Sequence, residues 1–84
     1  MNIKILGVGC SRCKKLEQQV RDLVARNNIN TEIEKVTDIQ DMIKYGIMAT
    51  PGLVINEKLK SSGIIPKDEQ ILNWIKEESV NENI

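Results

Sequence analysis

The chain has 84 residues and a formal net charge of zero, because 12 lysines and arginines balance 12 aspartates and glutamates. A chain of this length buries only about 60–65% of its unfolded surface, so we expect one small domain over residues 1–84. The balanced charge and the two aromatic residues, Tyr45 and Trp74, give no reason to expect a nucleic acid as a partner.

The first half of the chain predicts a strand, a helix and a second strand. Residues 2–8, NIKILGV, predict a buried strand of the parallel type, because most of them are apolar: Ile3, Ile5, Leu6 and Val8. After Cys10 the apolar residues recur every three or four positions, which predicts a helix that closes at Asn27–Asn28. Its buried stripe is Cys13, Leu16, Val20, Leu23 and Val24. Residues 31–37, TEIEKVT, alternate as a second strand that turns Ile33 and Val36 inward.

The second half predicts a short helix, a hairpin and a last helix. Residues 38–46 have apolar side chains at helical spacing ahead of a C-capping glycine: Ile39, Met42, Ile43 and then Gly46. Residues 52–55, GLVI, predict a strand that follows Pro51, and Asn56–Glu57 predict the turn into a polar edge strand, KLKSS, at 58–62. Pro66 stands where the last helix begins, and residues 81–84 predict a frayed tail. The buried face of that helix is predicted to be Ile71, Leu72, Trp74, Ile75 and Val80.

The predicted order is therefore β-α-β-α-β-β-α, without repeats or linkers. Strands that alternate with helices favour an α/β fold with a parallel start, and the late hairpin makes the sheet mixed. No segment approaches the roughly 20 apolar residues that span a bilayer, and the N-terminus lacks the basic flank of a secretory signal. We therefore expect a cytoplasmic protein with no membrane partner.

Both cysteines lie in GVGCSRCKK, residues 7–15, at C-x-x-C spacing. Such a pair can exchange electrons as a dithiol and disulfide, bind a soft metal ion or staple a loop. A staple here would close a very short loop, where the gain in stability is smallest. The absence of histidine excludes Cys–His nucleophilic catalysis, histidine-containing zinc sites and C-x-x-C-H haem attachment.

The predicted positions of the two cysteines favour electron exchange. Cys10 lies at the seam between the first strand and the first helix, whereas Cys13 lies on the apolar stripe of that helix. Their Cβ atoms should be about 5–6 Å apart, close to the roughly 3.5–4.5 Å of a disulfide. The helix N-terminus, aided by Arg12, should lower the pKa of the Cys10 thiol from about 8.5 toward neutrality. We therefore predict that Cys10 attacks the substrate disulfide and that Cys13, shielded until then, resolves the mixed disulfide.

A soft-metal carrier is the alternative, since the same two thiolates can bind Cu(I). Ferredoxin-like heavy-metal-binding domains also open with C-x-x-C between a strand and a helix. They have a methionine just ahead of the first cysteine, where this chain has Val8–Gly9, and they end on a strand. Structural zinc would need four ligands and hence a dimer that shares both pairs. We therefore expect no metal and no cofactor other than a reversible Cys10–Cys13 disulfide.

The element order, with C-x-x-C at the start of the first helix, resembles the thioredoxin/glutaredoxin fold. The stretch KYGIMATPGLVI, residues 44–55, is similar to thioredoxins, in which a tyrosine–glycine–aliphatic run precedes a proline at the start of a strand. Lys35 and Asp38 also resemble the corresponding strand end. GVGCSRCKKLE, TPGLVINEKL and the overall length most resemble the small thioredoxin-like "redox-active disulfide protein 2" family, across about residues 2–78.

The resemblance implies a thiol–disulfide oxidoreductase with a mixed four-stranded sheet flanked by three helices. It implies that Cys10 is the nucleophile and Cys13 the resolving thiol. It also implies that Pro51 follows a cis peptide bond and that the backbone of Thr50 pairs with an extended substrate segment, with Ser11 and Arg12 beside it. The expected partners are disulfide-containing proteins and a disulfide reductase as electron donor, and the expected state is a monomer.

The chain departs from the thioredoxin pattern around the cysteine pair. Gly9 replaces a tryptophan, and Ser11–Arg12 replace glycine–proline. Lys4 stands where thioredoxins bury an acidic residue, which leaves water or Lys35 to take the proton of Cys13. After the last strand, KSSGIIPKD keeps only one glycine of the glutaredoxin turn that binds glutathione. Tyr45 is expected to pack rather than to take part in chemistry.

Overall fold

The computed structural model describes residues 1–8 and 11–82 of the chain. The elements found there are β1 (Asn2–Leu6), α1 (Ser11–Arg26), β2 (Glu32–Val36), α2 (Ile39–Lys44), β3 (Gly52–Ile55), β4 (Lys58–Ser62) and α3 (Asp68–Glu82). This order confirms the predicted β-α-β-α-β-β-α arrangement. The last described element is a helix, whereas a ferredoxin-like metal-binding domain would end on a strand.

The strands form one mixed sheet in the order β2-β1-β3-β4. β1 pairs in parallel with β2, and the pairs β1–β3 and β3–β4 are antiparallel. Asn56 and Glu57 join β3 to β4 with φ values of 52° and 67°. Positive φ at both central residues is the geometry of a two-residue hairpin turn that matches the strand twist, so the predicted turn is confirmed.

Apolar side chains cover both faces of the sheet. Helices α1 and α3 pack on one face, and their cluster with β1 and β3 comprises Ile3, Ile5, Leu16, Val20, Leu23, Leu53, Ile55, Ile71 and Ile75. Helix α2 covers the other face, where the buried residues are Leu6, Val36, Met42 and Val54. Because side chains alternate along a strand, Ile33 packs against the first cluster and Val36 belongs to the second.

The predicted burial of Val8 is wrong, and two apolar side chains of α2 are also exposed. β1 ends at Leu6, where the Gly7 N–H still donates to the Val36 carbonyl at 3.0 Å, and the chain then leaves the sheet. Val8 is consequently 62% exposed instead of lying in a buried strand. In α2 only Met42 is buried, while Ile39 and Ile43 are 64% and 65% exposed. The helix has six residues, so it is too short to bury a whole apolar stripe.

Helix α3 begins later than predicted. The Lys67 carbonyl accepts from the Ile71 N–H at 3.1 Å, so Pro66 lies two residues before the first helical residue. The helix continues through residues 81–82 of the predicted frayed tail, and residues 83–84 lie outside the described residues. The side chain of Val80 is also outside the described part. Within residues 1–8 and 11–82, no helix is long and apolar enough to cross a membrane.

Helix α3 also carries a buried carboxylate that the sequence pattern does not reveal. Glu78 is 3% exposed, and its carboxylate lies 3.1 Å from Lys60 Nζ and 3.3 Å from Lys58 Nζ on β4. The hydrogen bond from Lys60 is the largest influence on its pKa and outweighs burial, so the pKa of Glu78 lies below its ordinary value of 4.5. Glu78 therefore connects α3 to the edge strand β4 through two ion pairs.

This ion pair predicts an acid-dependent loss of stability. A carboxylate whose pKa is lower in the folded state stabilises the fold above its unfolded pKa and stops doing so as pH falls through the folded pKa. We expect Glu78→Gln to lower the free energy of unfolding at neutral pH and the deficit to shrink below pH 4.5. Urea unfolding of both proteins across this range measures it, with exposed Glu77→Gln as the control. A deficit that stays constant with pH would contradict the assignment.

Candidate active site

The second cysteine of the C-x-x-C motif is buried in the first turn of α1. The helix begins at Ser11, so Cys13 is its third residue, and only 4% of Cys13 is exposed. Leu16 and Val20 continue the same buried stripe. The predicted nucleophile, Cys10, and its neighbour Gly9 lie outside the described residues.

The thiol of Cys13 lies against the end of β1. A Cβ atom built on Gly7 would overlap Cys13 Sγ and would lie 3.0 Å from Cys13 Cβ. The missing side chain at position 7 therefore allows the first turn of α1 to approach the strand this closely. The consequence is that the buried thiol sits at the carboxyl end of a central strand.

A second segment of the candidate site is the proline loop, residues 47–51. The peptide bond between Thr50 and Pro51 is cis, the isomer that the resemblance implies. Pro51 is less than 2% exposed, whereas Thr50 is exposed. Among residues 1–8 and 11–82, none forms a hydrogen bond with the backbone of Thr50. Its N–H and carbonyl are therefore available to a ligand.

The end of β4 holds the proline loop. The Ser62 hydroxyl accepts from the Met48 N–H at 3.0 Å and the Ala49 N–H at 3.1 Å, and it donates to the Ala49 carbonyl at 3.0 Å. The next residue, Gly63, donates its N–H to the Pro51 carbonyl at 2.9 Å. Two consecutive residues thus contact the loop on both sides of Thr50.

Arg12 connects the start of α1 to the same place. Its Nη2 donates to the Gly63 carbonyl at 2.9 Å, although the residue is exposed. Ser11, Lys14 and Lys15 are exposed as well. The structure therefore brings Arg12 close to the residues that hold Thr50 and Pro51, and the guanidinium has a carbonyl partner rather than standing as an isolated charge.

An apolar groove of about 310 Å³ opens beside Thr50. Its large exposed apolar side chains come from three segments that are separate in the sequence, and they are Val8, Ile39, Ile43 and Met48. Met48 is 91% exposed. The apolar side chains that β1 and α2 leave exposed thus belong to one surface, since Val8, Ile39 and Ile43 all line this groove.

Lys4, which stands where thioredoxins bury an acid, belongs to a different cluster. Its Nζ lies 2.8 Å from Glu57 Oε1 and donates to Tyr45 Oη at 2.7 Å, and Tyr45 donates to Glu57 Oε2 at 2.7 Å. The hydrogen bond with Glu57, and to a lesser extent the one with Tyr45, raises the pKa of Lys4 above its usual range. Its register partner Val54 faces α2, so Lys4 points away from α1. The ring of Tyr45 packs against the apolar cluster between the sheet and α2, as expected.

The other lysine considered as a proton acceptor also has a carboxylate partner. Lys35 Nζ lies 3.5 Å from Glu17 Oε1, and Arg21 Nη2 lies 2.9 Å from Glu17 Oε2. Burial raises the pKa of Glu17, but the hydrogen bond from Arg21 and the charge of Lys35 outweigh it and lower the pKa below the ordinary value. Lys35 is therefore held by an ion pair with Glu17.

Three residues of the candidate site were missed in the sequence: Gly7, Ser62 and Gly63. In the sequence, Gly7 falls within the segment predicted as the first strand, and nothing singles it out. Ser62 falls within the predicted polar edge strand, where a serine ordinarily faces solvent. The only signal is the position of Ser62 and Gly63 at the end of the last strand, and it does not indicate contact with a loop thirteen residues earlier.

The chain is similar to known thioredoxins over most of its length. A family model described as a thioredoxin domain matches residues 1–76, a range that includes Cys10, Cys13, Thr50 and Pro51. A thioredoxin of Methanothermobacter thermautotrophicus is 35% identical over 71 residues, which cover 84% of this chain and 92% of that protein. A thioredoxin of Methanocaldococcus jannaschii is 32% identical over 74 residues, which cover 88% and 85%.

Proposed function

The chain belongs to the thioredoxin family of thiol–disulfide oxidoreductases, and on that premise we propose that it reduces protein disulfides through Cys10 and Cys13. The burial of Cys13 carries this proposal. A thiol that is 4% exposed cannot meet the disulfide of a folded protein directly, but it can attack a disulfide formed at the neighbouring position of its own chain. The burial of Cys13 therefore supports Cys10 for the first step and Cys13 for the second.

The reaction is two successive thiol–disulfide exchanges. The Cys10 thiolate attacks one sulfur of the substrate disulfide, which breaks that bond, forms a mixed disulfide and releases the first substrate thiolate. Cys13 then loses its proton to water and attacks the Cys10 sulfur, which releases the second substrate thiolate. Two electrons pass to the substrate, and the protein is left with a Cys10–Cys13 disulfide. A disulfide reductase restores the dithiol.

The proline loop and its surroundings form the docking edge. An extended substrate segment pairs with the unpaired backbone N–H and carbonyl of Thr50, as in strand addition to a sheet edge. Pro51 supports this residue from the interior, and Ser11 and Arg12 border it from the start of α1. The apolar groove takes a hydrophobic side chain next to the substrate cysteine. The protein acts as a cytoplasmic monomer and needs no cofactor beyond its own disulfide.

A redox titration tests the proposal. The protein is equilibrated in dithiothreitol or glutathione buffers with metals chelated, and its oxidation is followed by alkylation and mass spectrometry. We expect one two-electron transition between roughly −270 and −120 mV, the span of this fold's oxidoreductases. Cys13→Ser, the control, should form no intramolecular disulfide. If no intramolecular disulfide forms at any potential, the proposal is overturned, and Cu(I) binding becomes the function to test.

A further inference from the structure

We propose that Ser62 is a positioning residue for this reaction, because its hydroxyl fixes the backbone that presents Thr50 to the substrate. The inference rests on the proposed function, since it concerns how the same docking edge meets a protein disulfide. Nothing in the C-x-x-C or proline motifs points to this serine, which lies at the end of the edge strand β4.

The hydroxyl uses its whole hydrogen-bonding capacity on one loop. A serine hydroxyl has two acceptor positions and one donor. Here the Met48 and Ala49 N–H groups occupy the acceptor positions at 3.0 and 3.1 Å, and the Ala49 carbonyl takes the donor at 3.0 Å. Most side-chain hydrogen bonds in proteins go to the backbone or to water. Three bonds to two adjacent residues are therefore a specific attachment.

Among residues 1–8 and 11–82, only Ser62 forms hydrogen bonds with the backbone of Met48 and Ala49. The proline loop, residues 47–51, lies between α2 and β3 and belongs to neither element. The side chain of Met48 is 91% exposed, and Ala49 and Thr50 are exposed as well, so burial does not anchor them. The Ser62 hydroxyl supplies the bonds that regular secondary structure would otherwise supply, one residue before the docking edge.

The neighbouring glycine completes the attachment. Gly63 has a φ of 78°, its N–H bonds the Pro51 carbonyl, and a Cβ at this position would lie 2.9 Å from Ala49 Cβ. The loop is thus held before Thr50 by Ser62 and after it by Gly63. Thr50 itself is left with a backbone that no described residue bonds. Such an arrangement fixes the direction of the Thr50 N–H and carbonyl groups while leaving both without a hydrogen-bond partner among the described residues.

Loss of the hydroxyl should therefore weaken productive docking more than chemistry. Backbone hydrogen bonds need donor–acceptor distances of about 2.7–3.2 Å. A proline loop that is less firmly held therefore forms fewer hydrogen bonds with the substrate backbone. We expect Ser62→Ala to lower kcat/KM for reduction of insulin about tenfold, the equivalent of one net hydrogen bond, through a higher KM. Reduction of hydroxyethyl disulfide, which is too small to pair with Thr50, should be unchanged, as should the potential of the Cys10–Cys13 couple.

Two matched variants control the experiment. Ser62→Thr keeps the hydroxyl and should restore kcat/KM for insulin. Ser61→Ala removes the adjacent serine of the same strand, which is 8% exposed and whose hydroxyl has no hydrogen-bond partner among the described residues. That change should leave the insulin reaction unaffected. Equal losses in Ser61→Ala and Ser62→Ala would overturn the proposal by assigning the effect to the strand as a whole.

Amide hydrogen exchange of Met48 and Ala49 gives a readout that does not depend on activity. We expect both amides to exchange faster in Ser62→Ala than in the wild type and in Ser62→Thr. Unchanged exchange would overturn the proposal, and so would faster exchange with unaltered kcat/KM for insulin. A wild-type protein that reduces neither insulin nor hydroxyethyl disulfide would overturn the proposed function itself, and the role of Ser62 in it. An active wild type with an unaffected Ser62→Ala overturns the positioning role alone.

Discussion

Cys10→Ser is expected to reduce the turnover of protein disulfides to the rate measured without the protein. A serine oxygen does not exchange with a disulfide, and Cys13 is too deeply buried to replace the missing nucleophile. The measurement is reduction of insulin with excess dithiothreitol, compared with the same reaction in the absence of protein. Far-ultraviolet circular dichroism of the variant verifies that the fold is intact.

Cys13→Ser should fail at the next step and leave a different trace. Cys10 still attacks, but no thiol remains to resolve the mixed disulfide. We expect a covalent complex between the variant and its substrate, visible by mass spectrometry without reductant and released by dithiothreitol. The Cys10→Ser protein should form none. A complex in Cys10→Ser, or full turnover in Cys13→Ser, would mean that the two cysteines have other roles than those proposed.

The order of elements could be predicted because apolar spacing and turn residues mark nearly every helix and strand locally in the sequence. The stripe of Leu16, Val20 and Leu23 is buried as its spacing requires, and the turn at Asn56–Glu57 has the geometry that ends one strand and starts the next. Helical spacing of apolar residues did not by itself decide which side chains of α2 are buried. Ile39 and Ile43 have helical spacing, yet α2 has six residues and covers the sheet with Met42.

Site residues outside the two motifs could not be predicted, because each acts through a neighbour that is distant in the sequence. Ser62 bonds residues 13 and 14 positions earlier, and Gly63 bonds Pro51, which is 12 positions earlier. No local periodicity encodes such pairs. The resemblance points to Cys10, Cys13, Thr50 and Pro51 because a motif marks them, whereas Ser62 has no motif.

Gly7→Ala should cause a large loss of stability for a change of one methyl group. The added Cβ would overlap Cys13 Sγ and crowd Cys13 Cβ, which lies 3.0 Å away, and both residues are buried. Overpacking of a filled interior costs about 1–3 kcal/mol. We expect the free energy of unfolding of the reduced protein to fall by that amount, and the midpoint of thermal unfolding by about 4–8 °C for each kcal/mol.

A double-mutant cycle with Cys13→Ala separates the overlap from any general effect of alanine at position 7. Removing Sγ leaves only the approach to Cβ, so Gly7→Ala should cost much less in the Cys13→Ala background than in the wild type. The backbone adds no penalty of its own, because Gly7 is not among the glycines with positive φ, which are Gly46 and Gly63 among the described residues. A methyl group that fits would even stabilise the chain by about 0.4–1 kcal/mol by restricting the unfolded state. If Gly7→Ala lowers the free energy of unfolding equally in the two backgrounds, the Cys13 thiol does not need the space that Gly7 leaves. The close contact between Cys13 and β1 would then have no part in shielding the thiol.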